Sequence, residues 1–283
     1  MSMYGSKTTN MSIEHDYLSL LQRCLASESR VTRNGLVQST FGATLQHDFS
    51  DGFPLLTTKK MFFRGVVEEL AWFLRGSTDV SELQQVGVHI WDKNTSERDG
   101  DAGPVYGFQW RHFGASYTSC KDKPSGGVDQ IQFLLDEIKA NPHSRRLFMS
   151  AWNPLAQPEM CLPPCHVSYQ FYVKDNKLSC MMVQRSADIF LGLPFNIAST
   201  ALLQSLIAHE TGLGLGTMTI HIGDAHVYDC HKTVAEQQTH RVPQILPKVS
   251  IQREKDNLWK VKASEIVLEK YNHLGALKAE MVA

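Results

Sequence analysis

Residues 161–183 read Cys-Leu-Pro-Pro-Cys-His-Val-Ser-Tyr-Gln-Phe-Tyr-Val-Lys-Asp-Asn-Lys-Leu-Ser-Cys-Met-Met-Val. Val167, Tyr169, Phe171 and Val173 alternate with polar neighbours, the period of a half-buried strand. Asp175-Asn176-Lys177 then turns the chain into a second strand, Leu178 to Val183. Outward from this hairpin, the flanking segments are mostly helical. Ser12 can cap a first helix whose apolar side is Ile13, Tyr17, Leu20, Leu21 and Cys24. A second runs from Phe63 to Leu74 and stops at Gly76; a third carries Ile131, Leu134, Leu135 and Ile138 and stops at Asn141-Pro142. Residues 195–211 are apolar all round, which predicts a buried helix. A strand from Thr217 to Ile222, a polar helix and two short strands follow. Residues 28–44 are polar and turn-rich, and 92–103 and 114–127 read as surface loops. Strands and helices do not alternate regularly, so the fold class is α+β and not a doubly wound parallel sheet. No composition break divides residues 1–283, which are read as a single domain with a flexible polar start at 1–10.

The 283 residues are 42% hydrophobic, with 28 basic and 29 acidic side chains. A net charge of −1 argues against a dedicated nucleic-acid surface. No run approaches the roughly 18–20 apolar residues of a membrane span, and the Met-Ser-Met-Tyr-Gly-Ser start has no apolar signal core. Six irregularly spaced cysteines without a Cys-x-x-Cys pair fit neither a disulfide framework nor a zinc site, so reduced thiols in the cytoplasm are expected. Cys24, Cys180 and Cys230 read as small buried hydrophobes and Cys120 as incidental.

Cys165 differs from these. Pro163 and Pro164 make its approach to the strand rigid, which suits a nucleophile. A thiol with a pKa near ~8.5 needs nearby positive charge to ionise, and the hairpin can bring Arg185 alongside. His166 should point to the opposite face, a poor position for a general base. Arg33, Arg145, Arg146 and Arg185 can clamp a phosphate, although adjacent arginines are often a solvated pair. Asn196 is either an N-cap or an amide matched to the N–H and C=O of a uracil edge. Glu69 is either a functional acid or an exposed carboxylate. His226 and Tyr228 share a face if extended, within reach of a sugar hydroxyl.

Taken in order, Asp51-Gly52-Phe53-Pro54-Leu55-Leu56-Thr57-Thr58-Lys59, Gly103-Pro104-Val105-Tyr106-Gly107, Ser144-Arg145-Arg146, Leu162-Pro163-Pro164-Cys165-His166, Gln184-Arg185-Ser186-Ala187-Asp188, Leu191-Gly192-Leu193-Pro194-Phe195-Asn196 and Gly223-Asp224-Ala225-His226-Val227-Tyr228 resemble the thymidylate synthase family, from about Asp16 to the C-terminus. The resemblance implies a large mixed β-sheet with packed helices and a sheet face at a homodimer interface. It also implies methylation of dUMP with 5,10-methylenetetrahydrofolate as co-substrate and no metal. By this matching Cys165 adds to C6 of the uracil, with Glu69, Tyr106, Asn196 and Arg185 as its catalytic companions. Arg33, Arg185, Ser186, Ala187, Asp188, Asn196, His226 and Tyr228 match substrate positions, with Arg145 and Arg146 supplied across the dimer. Lys59, Phe62, Trp91, Asp188, Gly192 and Val282 match the folate side, with 278–283 as a closing tail. The chain departs from the family pattern in an arginine loop one residue shorter, Arg33-Asn34-Gly35-Leu36-Val37. Val183, Thr200, Phe62, the segment Lys270-Tyr271-Asn272-His273-Leu274-Gly275 and Val282 depart too. The alternative reading inside the superfamily is a dUMP hydroxymethylase, in which water quenches the intermediate; outside it stands a nucleotide-binding protein without catalysis.

Overall fold

The computed structural model describes residues 12–282, so the expected flexible start at 1–10 and the last residue of the tail lie outside the described residues. Its helices are α1 (Ile13–Leu25), α2 (Phe63–Arg75), α3 (Ser81–Gln85), α4 (Asp92–Thr95), α5 (Tyr106–His112), α6 (Gln130–Ala140), α7 (Gly192–Thr211) and α8 (Lys232–Thr239). Its strands are β1 (Ser29–Thr32), β2 (Gly35–Asp48), β3 (Phe148–Ser150), β4 (His166–Lys174), β5 (Lys177–Asp188), β6 (Gly214–Tyr228), β7 (Lys248–Ile251) and β8 (Ile266–Glu269). Six strands form one sheet in the order β1-β2-β6-β5-β4-β3, and β7 pairs with β8 apart from it. Only β5 and β6 run parallel in the large sheet, joined by the crossover helix α7. The α+β expectation holds, and the sheet is mixed.

The inward side chains of the sheet, among them Leu45, Tyr169, Phe171, Cys180, Met182, Met218 and Ile220, are buried in one continuous core. Helices α1 and α7 pack against them, and α2 packs on α7 behind. From Ile197 to Ala208 every residue of α7 is buried, as an apolar helix between a sheet and other helices must be. Truncating one of its leucines to alanine should cost roughly 2–5 kcal/mol. The outer sheet face is not covered. Phe41, Tyr172 and Phe148 lie there 84%, 60% and 46% exposed, beside Thr44, Gln46, Gln170 and Thr219.

That bare face explains one difference from the sequence reading. Residues 28–44 look turn-rich because Ser39 and Thr44 need not be apolar on an uncovered surface, yet they form β1 and most of β2. Only Arg33-Asn34 is turn. Gly42, at φ +78°, marks where β2 skips a pairing with β6. Opposite it, Gly223 has no room for a side chain: a Cβ would lie 2.7 Å from the Arg185 carbonyl. This close approach draws the ends of β5 and β6 together, where the candidate site lies.

Smaller differences have local causes. Ser12 precedes α1 but turns its hydroxyl to His15 Nδ1 at 3.0 Å and caps nothing. Residues 92–103 hold α4 and bury Thr95 and Ala102. Asp101 anchors them, accepting from Gly103 N at 2.7 Å, from Cys120 N at 3.1 Å and from the Tyr117 hydroxyl. Residues 114–127 carry no helix or named strand. Cys24 and Cys180 are buried as expected, but Cys230 is exposed in the middle of a short 3₁₀ turn, Asp229–His231.

Candidate active site

Cys165 immediately precedes β4, where its carbonyl accepts from Arg185 N at 3.0 Å. The hairpin therefore brings residue 185 back beside residue 165. The Arg185 guanidinium donates to the carbonyls of Pro164 and Pro163, both at 2.8 Å, and stands 3.9 Å from the Cys165 sulfur. The two prolines thus hold the arginine as well as the cysteine, since their carbonyls are free of ladder duty. Burial nevertheless raises the Cys165 thiol above its ordinary range, and Arg185 opposes this only in part. Positive charge alone does not make the resting thiolate.

Four buried rings and one carboxyl back the cysteine. Tyr106, at the start of α5, accepts from the Cys165 N–H at 2.8 Å. Its ring stacks on Phe73 at 4.8 Å and meets His166 at 5.3 Å. His166 points into the core, as predicted: its Nδ1 is 3.2 Å from the Tyr169 hydroxyl, and burial pulls the imidazole down to about 4. Glu69, on α2, keeps part of its side chain exposed, but its carboxyl is enclosed and is pushed up to about 7 by that burial. The Trp91 indole N–H donates to it at 2.7 Å, which favours the ionised form and moderates the shift. Glu69 is not an exposed carboxylate.

Asn196 is the fifth residue of α7, which begins at Gly192, so it is not the cap. No side chain caps α7; Asp188 instead ties the turn ahead of it, its Oδ1 accepting from Phe190 N at 2.9 Å and Leu191 N at 3.1 Å. Its Oδ2 stands 3.9 Å from His231 Nδ1. The Asn196 Oδ1 accepts from Gln184 Nε2 at 2.8 Å. Gln184 went unassigned in the sequence reading; its place in the quoted cluster one residue before Arg185, on the inward face of β5, was the available signal. Ala187 also faces inward and is 2% exposed, leaving only its backbone to the site.

Beside these residues, Arg33, Asn34, Ser186, His226, Tyr228, Arg30, Thr32, Val37 and Asp224 line a cavity of about 270 Å³. Arg33 is exposed at the β1–β2 turn, its Nε donating to Asn34 Oδ1 at 3.0 Å. His226 and Tyr228 share the β6 face, their rings 5.1 Å apart. Arg145 and Arg146 do not join them. They are exposed ahead of β3, at the opposite edge of the sheet from β1. Five inter-strand steps separate those edges, roughly 24 Å.

The remaining expected residues line a second flank. Lys59 is buried: its ammonium donates to the Phe190 carbonyl and sits 4.1 Å over that ring, and burial lowers it to about 8. Trp91 is buried, Phe62 is partly exposed with its ring over Gly65, and Gly192 lies near Asp188 and Asn196. The tail closes on this flank. Leu274 N donates to Thr57 O at 2.9 Å, the Glu280 carbonyl meets His231 Nε2 at 2.6 Å, and Lys93 Nζ donates to Met281 O at 3.0 Å. Val282 ends the described chain, half-buried. Among the described residues no helix is long and apolar enough to cross a membrane, and no group of three or more His, Cys, Asp or Glu is arranged to hold a metal.

A guanidinium-flanked cysteine on rigid prolines, with a raised carboxyl and an oriented amide behind it, defines an enzyme built for covalent attack on a small anionic substrate. The chain belongs to the thymidylate synthase family: that family's model matches residues 15–283. It is 48% identical to the thymidylate synthase of Herpesvirus ateles over 95% of this chain and 97% of that protein. It is 46% identical to the thymidylate synthase of Homo sapiens over 95% of this chain and 90% of that one. To the thymidylate synthase 1/2 of Encephalitozoon cuniculi it is 50% identical, over 84% and 86% respectively.

Proposed function

We propose that this enzyme converts dUMP to dTMP with 5,10-methylenetetrahydrofolate as co-substrate, acting as a homodimer of one catalytic domain per chain in the cytoplasm. The observation that carries the reading is the convergence of Cys165, Arg185 and Tyr106 within bonding range, on a chain matching the family almost end to end. In this reading the Cys165 sulfur bonds to C6 of the uracil as the C5=C6 electron pair moves toward C5 and O4. The thiol proton passes to solvent, and Arg185 stabilises the electron pair left on the sulfur and touches the phosphate. Glu69, near 7, relays a proton at O4, and Tyr106 helps remove the C5 proton.

Asn196 reads the N3–H and O4 edge, its amide orientation held by Gln184. His226 and Tyr228 bind the 3′-hydroxyl, and Ser186 joins Arg33 and Arg185 on the phosphate. Arg145 and Arg146 come from the partner, a reading supported by their remoteness from Arg33 and by the bare sheet face carrying Phe41, Tyr172 and Phe148. The folate flank suits its ligand: Trp91 and Phe62 offer aromatic surface, and Asp188 Oδ2 is an acceptor for pterin N–H groups. Lys59, Gly192 and the tail ending at Val282 complete that flank and exclude water. When bound, the folate supplies the one-carbon unit and the hydride.

The relatives cited carry the synthase name, which favours methylation over hydroxymethylation. Incubation with dUMP and methylenetetrahydrofolate, following dihydrofolate formation and product mass, tests the choice. Stoichiometric dihydrofolate with dTMP is expected; 5-hydroxymethyl-dUMP as the main product would overturn it. A 5-fluoro-dUMP adduct on the Cys165 peptide tests the nucleophile directly.

A further inference from the structure

The cavity that takes Arg33 also contains a carboxylate, Asp224, which by itself would repel an anion. Its charge is met by Arg30, an arginine outside the matched phosphate positions. The two-residue turn fixes the β1–β2 register so that Arg30 pairs with Val37, leaving Ser39 as its diagonal neighbour on β2. From there the guanidinium reaches across β2 to β6: Nε donates to Ser39 Oγ at 2.7 Å, and a terminal nitrogen pairs with the Asp224 carboxylate. The other Asp224 oxygen lies 3.2 Å from His226 Nδ1. A carboxylate only accepts, so Nδ1 carries the hydrogen and Nε2 of the neutral ring is an acceptor.

We propose that Arg30 is a positioning residue, acting through Asp224 to hold His226 in the tautomer whose free Nε2 accepts from a nucleotide sugar hydroxyl. The proposal rests on the nucleotide reading of this cavity and extends it. Arg30 serves two needs: it cancels a charge hostile to the phosphate, and it fixes the carboxylate that fixes the imidazole. It does not itself touch the phosphate.

The test combines dUMP kinetics with ¹⁵N NMR of His226 in the full-length enzyme. Arg30→Met should raise KM for dUMP about tenfold, the equivalent of about 1.4 kcal/mol, with kcat changed less than twofold. Arg30→Lys, which keeps the charge, should stay within about threefold of the parent, a difference of about 0.65 kcal/mol. The double variant Arg30→Met/Asp224→Asn should recover most of the lost affinity, because the uncompensated charge is gone while the Asn oxygen still accepts from Nδ1. A double variant as impaired as the single, although its nitrogen shifts keep the Nδ1–H tautomer, would mean that Arg30 binds the phosphate directly, which overturns the proposal. The nitrogen shifts should show the Nδ1–H tautomer in the parent and a mixture in Asp224→Leu; an Nε2–H tautomer in the parent would also overturn it. A parent without activity on dUMP would remove the nucleotide reading but leave the tautomer measurement standing.

Discussion

The backbone N–H of Cys165 donates to the Tyr106 hydroxyl at 2.8 Å, across 59 positions of chain, so one buried phenol both backs the nucleophile and sets its height above the core. Tyr106→Phe removes the acceptor and leaves that N–H unpaired. Stability should fall by about 1–3 kcal/mol, and kcat by roughly 10²–10⁴ if the phenol also serves in proton removal. Thermal unfolding and steady-state rates separate the two effects. A kcat within threefold of the parent would restrict Tyr106 to scaffolding.

Glu69 titrates near 7 instead of its ordinary 4.5 because its carboxyl is enclosed. The native state therefore holds a proton that the unfolded chain has released at any pH between those values. Stability should decline as pH rises through that window, by no more than about 3 kcal/mol in total. In Glu69→Gln the decline should disappear from denaturant titrations across pH 4.5–7.5. Trp91→Phe, which removes the N–H favouring the carboxylate, should move the Glu69 pH limb of activity upward. A limb that moves down or stays fixed would contradict the assignment.

Asn196→Asp is expected to shift preference from dUMP toward dCMP, since a carboxylate accepts from the cytosine amino group where the amide served uracil. Folding should tolerate the change because Gln184 Nε2 can donate to either oxygen. Competition between the two nucleotides measures the shift. Unaltered discrimination would show that the base is read elsewhere.

Arg145 and Arg146 stand roughly 24 Å from the Arg33 turn by strand spacing, too far to share a phosphate within one chain. Mixing inactive Cys165→Ser with an inactive Arg145→Ala/Arg146→Ala variant should restore part of the activity, because a hybrid dimer contains one intact site. Absence of any recovery after subunit exchange, checked by mass, would argue against a shared site.

Much of the architecture is visible in local pattern. Period-two alternation from Val167 to Val173 and the Asp175-Asn176 turn, both with positive φ, specify the β4–β5 hairpin before any tertiary contact is known. Uninterrupted apolar character specifies α7 as interior, and Gly76 and Gly212 stop their helices in left-handed conformations. Pattern failed for β1 and β2 because a strand on an uncovered face has no need of apolar residues on that side.

The residue types of the site were likewise legible, because sulfur, guanidinium and amide chemistry belongs to the side chain wherever it lies. Their environment was not. Whether Glu69 is enclosed depends on α2 meeting the Trp91 turn; whether Asp188 ties the turn leading into α7, and Gln184 grips Asn196, depends on β5 ending beneath that helix. The Cys165 thiol rises despite Arg185 because desolvation is a property of everything packed around it. Short-range order follows from neighbours along the chain, while burial, charge balance and reach are sums over residues distant in sequence, which exist only once the sheet has closed against its helices.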